Sequence, residues 1–245
     1  MFRARRVAVP SSHGTSRLEH DGLAPVLGAV TDGGVSALAR VEDELHEYLV
    51  TAGAVDPVTL TRSEALAFWL NLYNAGALDL AARASRDGAG SVLRVPGAFD
   101  SPVFAISGEQ LSLDAIEHGK IRRFGDPRIH GALVCGSVSC PTLRHEPYRG
   151  DDLDAQLDDQ MRRFLAGGGA LLDIGTRTVH LSRVFLWYGG DFTRSGSMPT
   201  WLPARPSTIL RALLPWLDES ASWVASGRAS VKYQPYDWGL RCSVG

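Results

Sequence analysis

The sequence predicts a single α+β domain, and three observations predict it. The 245 residues are 44% hydrophobic and 21% charged, which is the composition of an ordinary folded domain. Segments with apolar residues at helical spacing occur together with short apolar runs that are typical of strands. No internal repeat and no long linker divides the chain. We therefore expect a loose N-terminal arm over residues 1–25 and one domain over residues 26–245, in which a buried central helix packs on a mainly antiparallel sheet.

The first half of this domain is predicted to be helical. Residues 35–53 have apolar side chains at helical spacing, and Asp56-Pro57 follows them as a break. Thr61 and Glu64 fit a capping box, in which the two side chains satisfy backbone donors at the start of a helix. The residues behind them are apolar on nearly every face, which is typical of a helix that is buried all round.

The second half is predicted to mix short strands and helices. Ser112 is expected to cap a helix, and the compact apolar run over residues 129–135 predicts a buried strand. The other predicted elements are a hairpin over 103–113 that turns at Ser107-Gly108, a helix over 151–165, a hairpin that joins 171–174 to 178–181, a helix near 207–214 and a strand around 231–233.

Charge and cysteine content argue against several classes of protein. The chain has 25 basic and 27 acidic residues, a net charge of −2, so no nucleic-acid partner is expected. No apolar run approaches the ~18 residues that a membrane span needs, and the segment after the basic start is too short and polar for a signal-peptide core. Cys135, Cys140 and Cys242 are too few, and odd in number, for a disulfide framework. We therefore expect a cytoplasmic protein with no cofactor and no membrane partner.

Two asparagines lie three residues apart on the predicted buried helix. Asn71 and Asn74 therefore share one helix face. A buried amide without partners costs about 1–3 kcal/mol, so both side chains must be bonded. Two interpretations stay open: the amides hold a loop against the helix, or they line a site and orient a histidine or a substrate carbonyl.

A glutamate, a histidine and a glycine are neighbours on the predicted helix after Ser112. Glu117 and His118 fit a solvated helix face, and they also fit a site. Gly119 favours the second interpretation, because glycine inside a helix costs about 1 kcal/mol relative to alanine. Such a glycine is typical of a place where a ligand or another backbone comes close.

A histidine, a glycine-serine loop and a cysteine follow one another within residues 126–141. The predicted strand carries His130, and the loop after it places Cys140 directly before Pro141. Proline is favoured at the first helical position, so we expect Cys140 at a helix N-terminus, where the dipole and free amides lower the pKa of a thiol. The same amides suit an oxyanion hole. This pattern predicts a nucleophilic cysteine with His130 or His118 as its base.

Other interpretations of the cysteines stay open. Cys140 also fits a small buried residue in a tight turn, and Cys135 is expected in the core, because strand alternation places it opposite His130. Cys135 and Cys140 together with His130 and His145 are zinc-ligand types, but their spacing differs from that of a usual zinc knuckle. We therefore expect no metal.

Four motifs occur in the order that one known family shows. They are Phe68–Ala75, Leu113–Gly119, Asp126–His130 and Cys135–Pro141. On these motifs the chain resembles the family of domains of unknown function numbered 547, from about Leu45 to the tail at 236–238. The resemblance implies a likeness to papain-like and transglutaminase-like thiol hydrolases. In that architecture a cysteine, a histidine and a polar orienting group converge where a helix packs into an antiparallel sheet.

These observations together predict a thiol hydrolase or acyl transferase that acts on an amide or ester of a small molecule or peptide. Cys140 is the expected nucleophile and His130 its base, with Asn71 or Glu117 orienting the imidazole. The order Asn71, His130, Cys140 requires a rearranged papain topology. The expected substrate-binding residues are Asn74, His118, Ser139 and Arg128. The alternative is a non-catalytic module that binds a protein or peptide, in which the same motifs hold a scaffold.

Overall fold

The computed structural model describes residue 8 and residues 10–241, apart from the side chains of residues 219 and 220. Helices dominate this range and the strands are short, so the fold is α+β, as predicted. The α-helices are α1 (Ala24–Gly33), α2 (Glu42–Gly53), α3 (Arg62–Arg86), α4 (Leu113–Gly119), α5 (Ile129–Ala132), α6 (Leu153–Phe164), α7 (Arg183–Thr193) and α8 (Pro206–Leu213). The strands are β1 (Phe104–Ile106), β2 (Glu109–Leu111), β3 (Ala170–Asp173), β4 (Thr178–Leu181) and β5 (Ser230–Tyr233).

Helix α3 is the buried centre of the fold. Thr61 caps it, because the threonine hydroxyl accepts the N–H of Glu64 at 3.2 Å. Nearly every residue from Glu64 to Ala84 is buried, which confirms the prediction of a helix buried all round. Its main neighbours are α2, α4 and the 3₁₀ segment Gly34–Arg40. Most of its neighbours are therefore helices, and of the sheets the β1–β2 hairpin contacts it at Gly76.

The predicted first hairpin is confirmed as the antiparallel pair β1–β2, with its turn at Ser107-Gly108. Both turn residues have positive φ, 49° and 80°, the geometry that suits a two-residue hairpin loop. Phe104 of β1 packs on Gly76 of α3, where a Cβ atom would lie 2.3 Å from the phenyl ring. The glycine in the middle of α3 therefore makes room for the hairpin.

The second sheet has the strand order β3-β4-β5. Strands β3 and β4 form the predicted second hairpin, and β5 pairs with β4 in parallel. The chain after β5 then runs along the loop that follows α5: the Val138 N–H donates to the Gly239 carbonyl at 2.9 Å, and Ser137 and Leu240 form an isolated bridge. The C-terminal tail, residues 236–240, is thereby held against that loop.

Two predicted elements differ from the structure. The run 129–135 is not a strand, because Ile129–Ala132 form α5 and only the residues after it are extended. The Asn74 amide bonds the Ala132 carbonyl and the Val134 N–H, so these two backbone groups are satisfied without a neighbouring strand. The helix predicted over 35–53 is divided at Val41 into a 3₁₀ segment and α2.

Part of the predicted N-terminal arm is packed on the domain. Ser16 forms a bridge with Leu60, His20 is buried, and α1 begins at Ala24. Residues 1–7 and 9 of the arm lie outside the described residues. The helical stretch Asp21–Arg40 is long and apolar enough to cross a membrane by length and composition alone, a test that core helices also pass.

The buried apolar side chains form two clusters with a cavity between them. One cluster surrounds α3, and the other is built from the end of α6, β4, α7 and α8. Tyr73 and Leu133 line the cavity from the first cluster, and Val184 and Tyr188 line it from the second.

Candidate functional site

The cavity between the two clusters is the candidate site. It has a volume of about 440 Å³ and walls from α3, α4, the loop after α5, α7 and the C-terminal tail. Most of its surface is apolar, as is usual for a ligand pocket. The polar groups that converge on it include Asp114, Glu117, His130, Cys135 and Cys140. Three of the residues that the sequence predicts as catalytic, Glu117, His130 and Cys140, are therefore brought together.

The two asparagines of α3 position loops and do not line the cavity. Asn74 donates to the Ala132 carbonyl at 3.0 Å and accepts from the Val134 N–H at 3.1 Å, which fixes the chain just before Cys135. Asn71 bonds the backbone of Tyr148 in the same way, at 2.8 and 2.9 Å. The interpretation that these amides hold loops is thus the one that the geometry supports. The expected orientation of His130 by Asn71 is not found.

The sulfur of Cys135 faces hydroxyl groups. The Ser137 hydroxyl lies 3.0 Å and the Tyr236 hydroxyl 3.3 Å from it, and these two hydroxyls are 3.0 Å apart. A hydrogen bond from the Cys140 thiol, followed by those from Ser137 and Tyr236, lowers the pKa of Cys135 to about 6, although burial opposes this. Cys135 is therefore the thiol of the pair that ionises first.

Cys140 has the opposite character. Its sulfur accepts the N–H of Cys135 at 2.8 Å, and burial, followed by the neighbouring Cys135, raises its pKa well above the ordinary value. The helix expected to begin at Pro141 does not form, so no helix dipole acts on Cys140. The prediction of a lowered thiol pKa at Cys140 is therefore wrong. The prediction that Cys135 and His130 lie on opposite faces is also wrong, because Cys135 and His130 line the same cavity.

His130 is held by a buried aspartate. Its Nε2 lies 2.8 Å from Oδ2 of Asp191, and its ring stacks on Tyr188 with centroids 4.1 Å apart. Asp191 also accepts from Arg122 Nε at 2.7 Å, Arg122 Nη2 at 3.0 Å and the Thr200 N–H at 2.9 Å. Burial opposes its ionisation, but the bonds from His130 and Arg122 lower the pKa of Asp191 to about 2.

The ionised aspartate fixes the tautomer of His130. Because a carboxylate only accepts, Nε2 must carry the proton and Nδ1 is the basic nitrogen. Burial lowers the pKa of His130 in spite of Asp191, so the imidazole is neutral at pH 7. Within the part of the chain that the structure describes, the two sulfurs interact with each other and with Ser137, Tyr236 and backbone groups, and no hydrogen bond joins either sulfur to His130.

Glu117 and His118 have different positions. Glu117 lines the cavity and accepts from the Tyr73 hydroxyl at 3.2 Å. His118 lies behind the wall: its Nδ1 accepts from Arg122 Nη1 at 3.1 Å, and its Nε2 lies 3.1 Å from Oδ1 of Asp114. The carboxylate that orients the His130 ring is therefore Asp191 and not Glu117. His118 joins Asp114 to the buried arginine.

Ser139 and Arg128 do not line the cavity. Ser139 fastens the tail, because its hydroxyl accepts the Asp237 N–H at 2.9 Å and its own N–H donates to the Asp237 carbonyl at 3.2 Å. Arg128 is bonded to Asp126, Asp154 and Asp158. Their expected contact with substrate is not supported by these positions.

The zinc alternative finds no support among the described residues, in which no group of three or more His, Cys, Asp or Glu is arranged to hold a metal ion. His145, the fourth ligand type considered, is exposed and does not line the cavity.

Sequence reasoning missed three functional groups, namely Arg122, Asp191 and Tyr236. A weak signal existed for two of them: Asp191 follows the aromatic and glycine residues 187–190, and Tyr236 lies in an aromatic tail. No local signal distinguishes Arg122 from its neighbour Arg123, although Arg122 is fully buried.

Fold and site define an α+β protein with a two-thiol cavity backed by a histidine, an aspartate and an arginine. Residues 57–165 match the model of the family described as "Protein of unknown function, DUF547". The family resemblance is thus confirmed over this segment, which is shorter than the stretch that the motifs suggest. No curated protein and no solved structure matches the chain. A papain-like architecture is not confirmed. Asp191 and Tyr236 lie outside the matched segment, so part of the site comes from the rest of the chain.

Proposed function

We propose that this protein is a thiol-dependent hydrolase or acyl transferase that acts on an amide or ester, with Cys135 as its nucleophile. One observation carries the proposal. Cys135, whose sulfur is bonded by the hydroxyls of Ser137 and Tyr236, lines the same cavity as His130, whose basic Nδ1 is set by Asp191. An activated thiol and an oriented base in one cavity are the parts that nucleophilic catalysis requires.

The proposed reaction has two steps that balance. In the first, the sulfur of Cys135, which is largely ionised because its pKa is lowered, attacks the carbonyl carbon and forms a C–S bond. The C–N or C–O bond then breaks, and the leaving amine or alcohol takes its proton from water, which leaves hydroxide. In the second, the neutral His130 takes a proton at Nδ1 from water or another acceptor, which adds to the thioester. The C–S bond breaks and releases the thiolate of Cys135, and the proton from His130 neutralises the hydroxide.

Asp191 and Cys140 have supporting roles in this scheme. Asp191 holds the imidazole by its Nε2 and stabilises the imidazolium that forms during the second step. Cys140 donates a hydrogen bond to the Cys135 sulfur and retains its own proton. This assignment exchanges the two cysteines relative to the sequence-based expectation, and it replaces Asn71 and Glu117 by Asp191.

Alkylation with iodoacetamide tests the nucleophile. At pH 6.5 we expect Cys135 to be labelled on the order of 10-fold faster than a free cysteine peptide, because much more of it is thiolate. The label is located by mass spectrometry of the 133–141 peptide. Tyr236→Phe is expected to slow the labelling, and Cys140→Ser serves as the matched thiol variant. Labelling of Cys135 at the rate of the free peptide contradicts the proposal.

Acyl transfer itself is tested with p-nitrophenyl acetate. We expect an acetyl adduct on Cys135, seen as a mass increase of the intact protein, and no adduct in Cys135→Ala. Cys140→Ala is expected to retain the adduct.

A binding module is the second candidate function. The observation that favours it is that the sulfurs bond Ser137, Tyr236 and backbone groups and His130 bonds Asp191. If neither Cys135 nor Cys140 forms the acetyl adduct while the cavity binds a small ligand, the binding module is the correct function.

A further inference from the structure

The two thiols of the cavity are in direct contact. Gly136, with a φ of 76°, turns the chain directly after Cys135, and the N–H of Cys140 donates to the Ser137 carbonyl at 3.1 Å. The N–H of Cys135 donates to the Cys140 sulfur at 2.8 Å, and the thiol of Cys140 donates to the Cys135 sulfur. Both cysteines are free thiols, so two sulfurs that can be joined already lie side by side.

The C-terminal tail fixes the loop that carries this pair. The Val138 N–H donates to the Gly239 carbonyl at 2.9 Å, and the Arg241 N–H donates to the Gly136 carbonyl at 2.8 Å. A disulfide between neighbours in a fixed loop closes a short segment that the fold has already closed. Little further chain entropy is therefore lost when the S–S bond forms.

The two thiols also differ in the way that stepwise oxidation requires. Cys135, with its lowered pKa, is the thiolate, and Cys140 keeps its proton. A thiolate reacts first with an oxidant, and a protonated thiol beside it can then displace the oxidised group. Acyl transfer needs only one sulfur as nucleophile, whereas a second sulfur in contact with it is what disulfide formation needs.

The geometry points to a reversible oxidation site, at which a hydroperoxide that enters the cavity converts Cys135 and Cys140 into a disulfide. Both cysteines line the cavity and are partly exposed, so a small oxidant can reach them. The mostly apolar walls suit a neutral hydroperoxide better than a bulky ionic disulfide. This inference goes beyond the proposed function, and it needs no acyl substrate.

The oxidation has two steps that balance. In the first, the Cys135 thiolate attacks the terminal oxygen of the hydroperoxide. An S–O bond forms, the O–O bond breaks, and the alkoxide or hydroxide leaves, an alkoxide taking a proton from water. In the second, the Cys140 sulfur attacks the sulfenic sulfur, the S–S bond forms, and the S–O bond breaks. The thiol proton of Cys140 leaves with that oxygen as water, so two thiols lose two electrons and one hydroperoxide gains them.

The first step prepares Cys140 for the second. Burial, followed by the neighbouring Cys135, raises the pKa of Cys140. When the Cys135 thiolate becomes a neutral sulfenic acid, the second of these two causes is removed. Loss of the Cys140 proton thereby becomes easier only after Cys135 has been oxidised.

The test is oxidation of the full reduced chain with a stoichiometric amount of hydrogen peroxide at pH 7. The remaining thiols are then alkylated in denaturant, and the tryptic peptide 129–144, which contains Cys135 and Cys140, is weighed. We expect this peptide to lose both alkylation sites together and to regain both after dithiothreitol. Cys242 lies in a separate tryptic peptide, so Cys242→Ser is the matched control and is expected to give the same result.

Two variants assign the order of the steps. Cys140→Ser is expected to leave the sulfenic acid on Cys135, where dimedone captures it at least about 10-fold more than in the wild type. Cys135→Ser is expected to form no disulfide in this peptide and to slow oxidation of the remaining thiol, Cys140, on the order of 10-fold. The wild-type result does not depend on the folding of either variant.

Three results would overturn the inference: a 129–144 peptide that keeps both alkylation sites, oxidation of Cys135 to the sulfinic acid without a disulfide, or equal dimedone capture in the wild type and Cys140→Ser. One consequence rests on the proposed function: the oxidised protein should form no acetyl adduct until dithiothreitol is added. If the reduced protein forms no such adduct, the proposed function fails, while the peptide mass still decides the disulfide.

Discussion

Two regions of the molecule bury a histidine beside a carboxylate, with opposite results. At the candidate site, His130 and Asp191 are 2.8 Å apart and directly hydrogen-bonded. Between the N-terminal segment and α3, His20 Nε2 lies 3.5 Å from Glu64 Oε1, and both atoms are buried without a hydrogen-bond partner among the described residues. His20 Nδ1 bonds the Tyr48 hydroxyl at 3.0 Å. The residue types are similar and the surroundings differ.

The difference is the presence of a buried cation. Arg122 compensates Asp191, so that carboxylate stays ionised and fixes His130. Among the described residues no buried cation contacts Glu64: burial raises its pKa, and a hydrogen bond from Gly150 and the charge of the exposed Arg17 only partly offset this. Burial also lowers the pKa of His20 to about 4. A histidine–carboxylate pair thus becomes a fixed base only where a third group holds the negative charge in place.

The largest expected effect comes from removing that negative charge. Asp191→Asn leaves Arg122 fully buried without its counter-ion and is expected to cost about 3–5 kcal/mol of unfolding free energy. The measurement is urea unfolding followed by circular dichroism. Asp154→Asn is the control, because Asp154 is 90% exposed in its ion pair with Arg128 and is expected to cost about 0.5 kcal/mol or less. A cost below that control would show that the buried pair does not stabilise the fold.

The second largest expected effect distinguishes His130 from His20 by what their loss does to the reaction with p-nitrophenyl acetate. His130→Asn is expected to slow hydrolysis of the acetylated Cys135, formed with p-nitrophenyl acetate, about 100-fold or more, because the positioned base that takes a proton from water is lost. His20→Gln is expected to leave the rate unchanged, since His20 does not line the cavity. Stopped-flow release of nitrophenolate gives both rates. Equal rates for the two variants would remove the distinction between the regions.

The third effect distinguishes the two histidine–carboxylate regions by the pH dependence of the free energy of unfolding. The native state keeps His20 neutral down to about pH 4, whereas the unfolded chain protonates it near its ordinary pKa of about 6.5. The unfolded state therefore binds the proton first, and stability falls as the pH is lowered from about 6.5 to 4. The pKa of Asp191, which is lowered, acts in the same direction but only at lower pH, below its ordinary range.

His20→Gln is accordingly expected to flatten the stability profile between pH 6.5 and 4 by about 1–3 kcal/mol. The profile below pH 4 should keep its slope. Glu64, whose raised pKa acts in the opposite direction, reduces the net change in the wild type. Thermal unfolding at half-unit pH steps gives the profile, and an unchanged slope between pH 6.5 and 4 would contradict the assignment.

The smallest effect concerns one hydroxyl. Tyr48→Phe removes the partner of His20 Nδ1 and is expected to destabilise the protein by about 1 kcal/mol. Tyr233→Phe is the matched control, because its hydroxyl is buried without a partner among the described residues and its loss should cost nothing. Equal values for the two variants, from urea unfolding, would show that the bond to His20 is not formed.

Local rules predict the elements whose causes are local. The cap at Thr61, the cap at Ser112 and the turn at Ser107-Gly108 each depend on residues within a few positions of one another, and all are confirmed. The run 129–135 was ambiguous for the same reason: a short apolar run suits a strand or a buried helix equally. The side chain that bonds the backbone of this run in place of a strand, Asn74, lies about 60 residues earlier in the chain.

The candidate site depends even more on residues that are far apart in the sequence. The motifs identify His130 and the two cysteines, but one of the hydroxyls that bond the Cys135 sulfur belongs to Tyr236, 101 residues after it. Asp191, 61 residues after His130, fixes the base. Neither separation leaves a periodicity or a capping signal that a single sequence can reveal.

The position of Tyr236 also sets when the surroundings of Cys135 are complete. During synthesis, Cys135 and its loop are made about 100 residues before one of the two hydroxyls that bond the sulfur has been added. Ser137 supplies the other hydroxyl from the same loop. The thiol site is therefore finished only when the tail has been made and has packed on the loop, and a product that ends before Tyr236 lacks one of the groups that favour the thiolate.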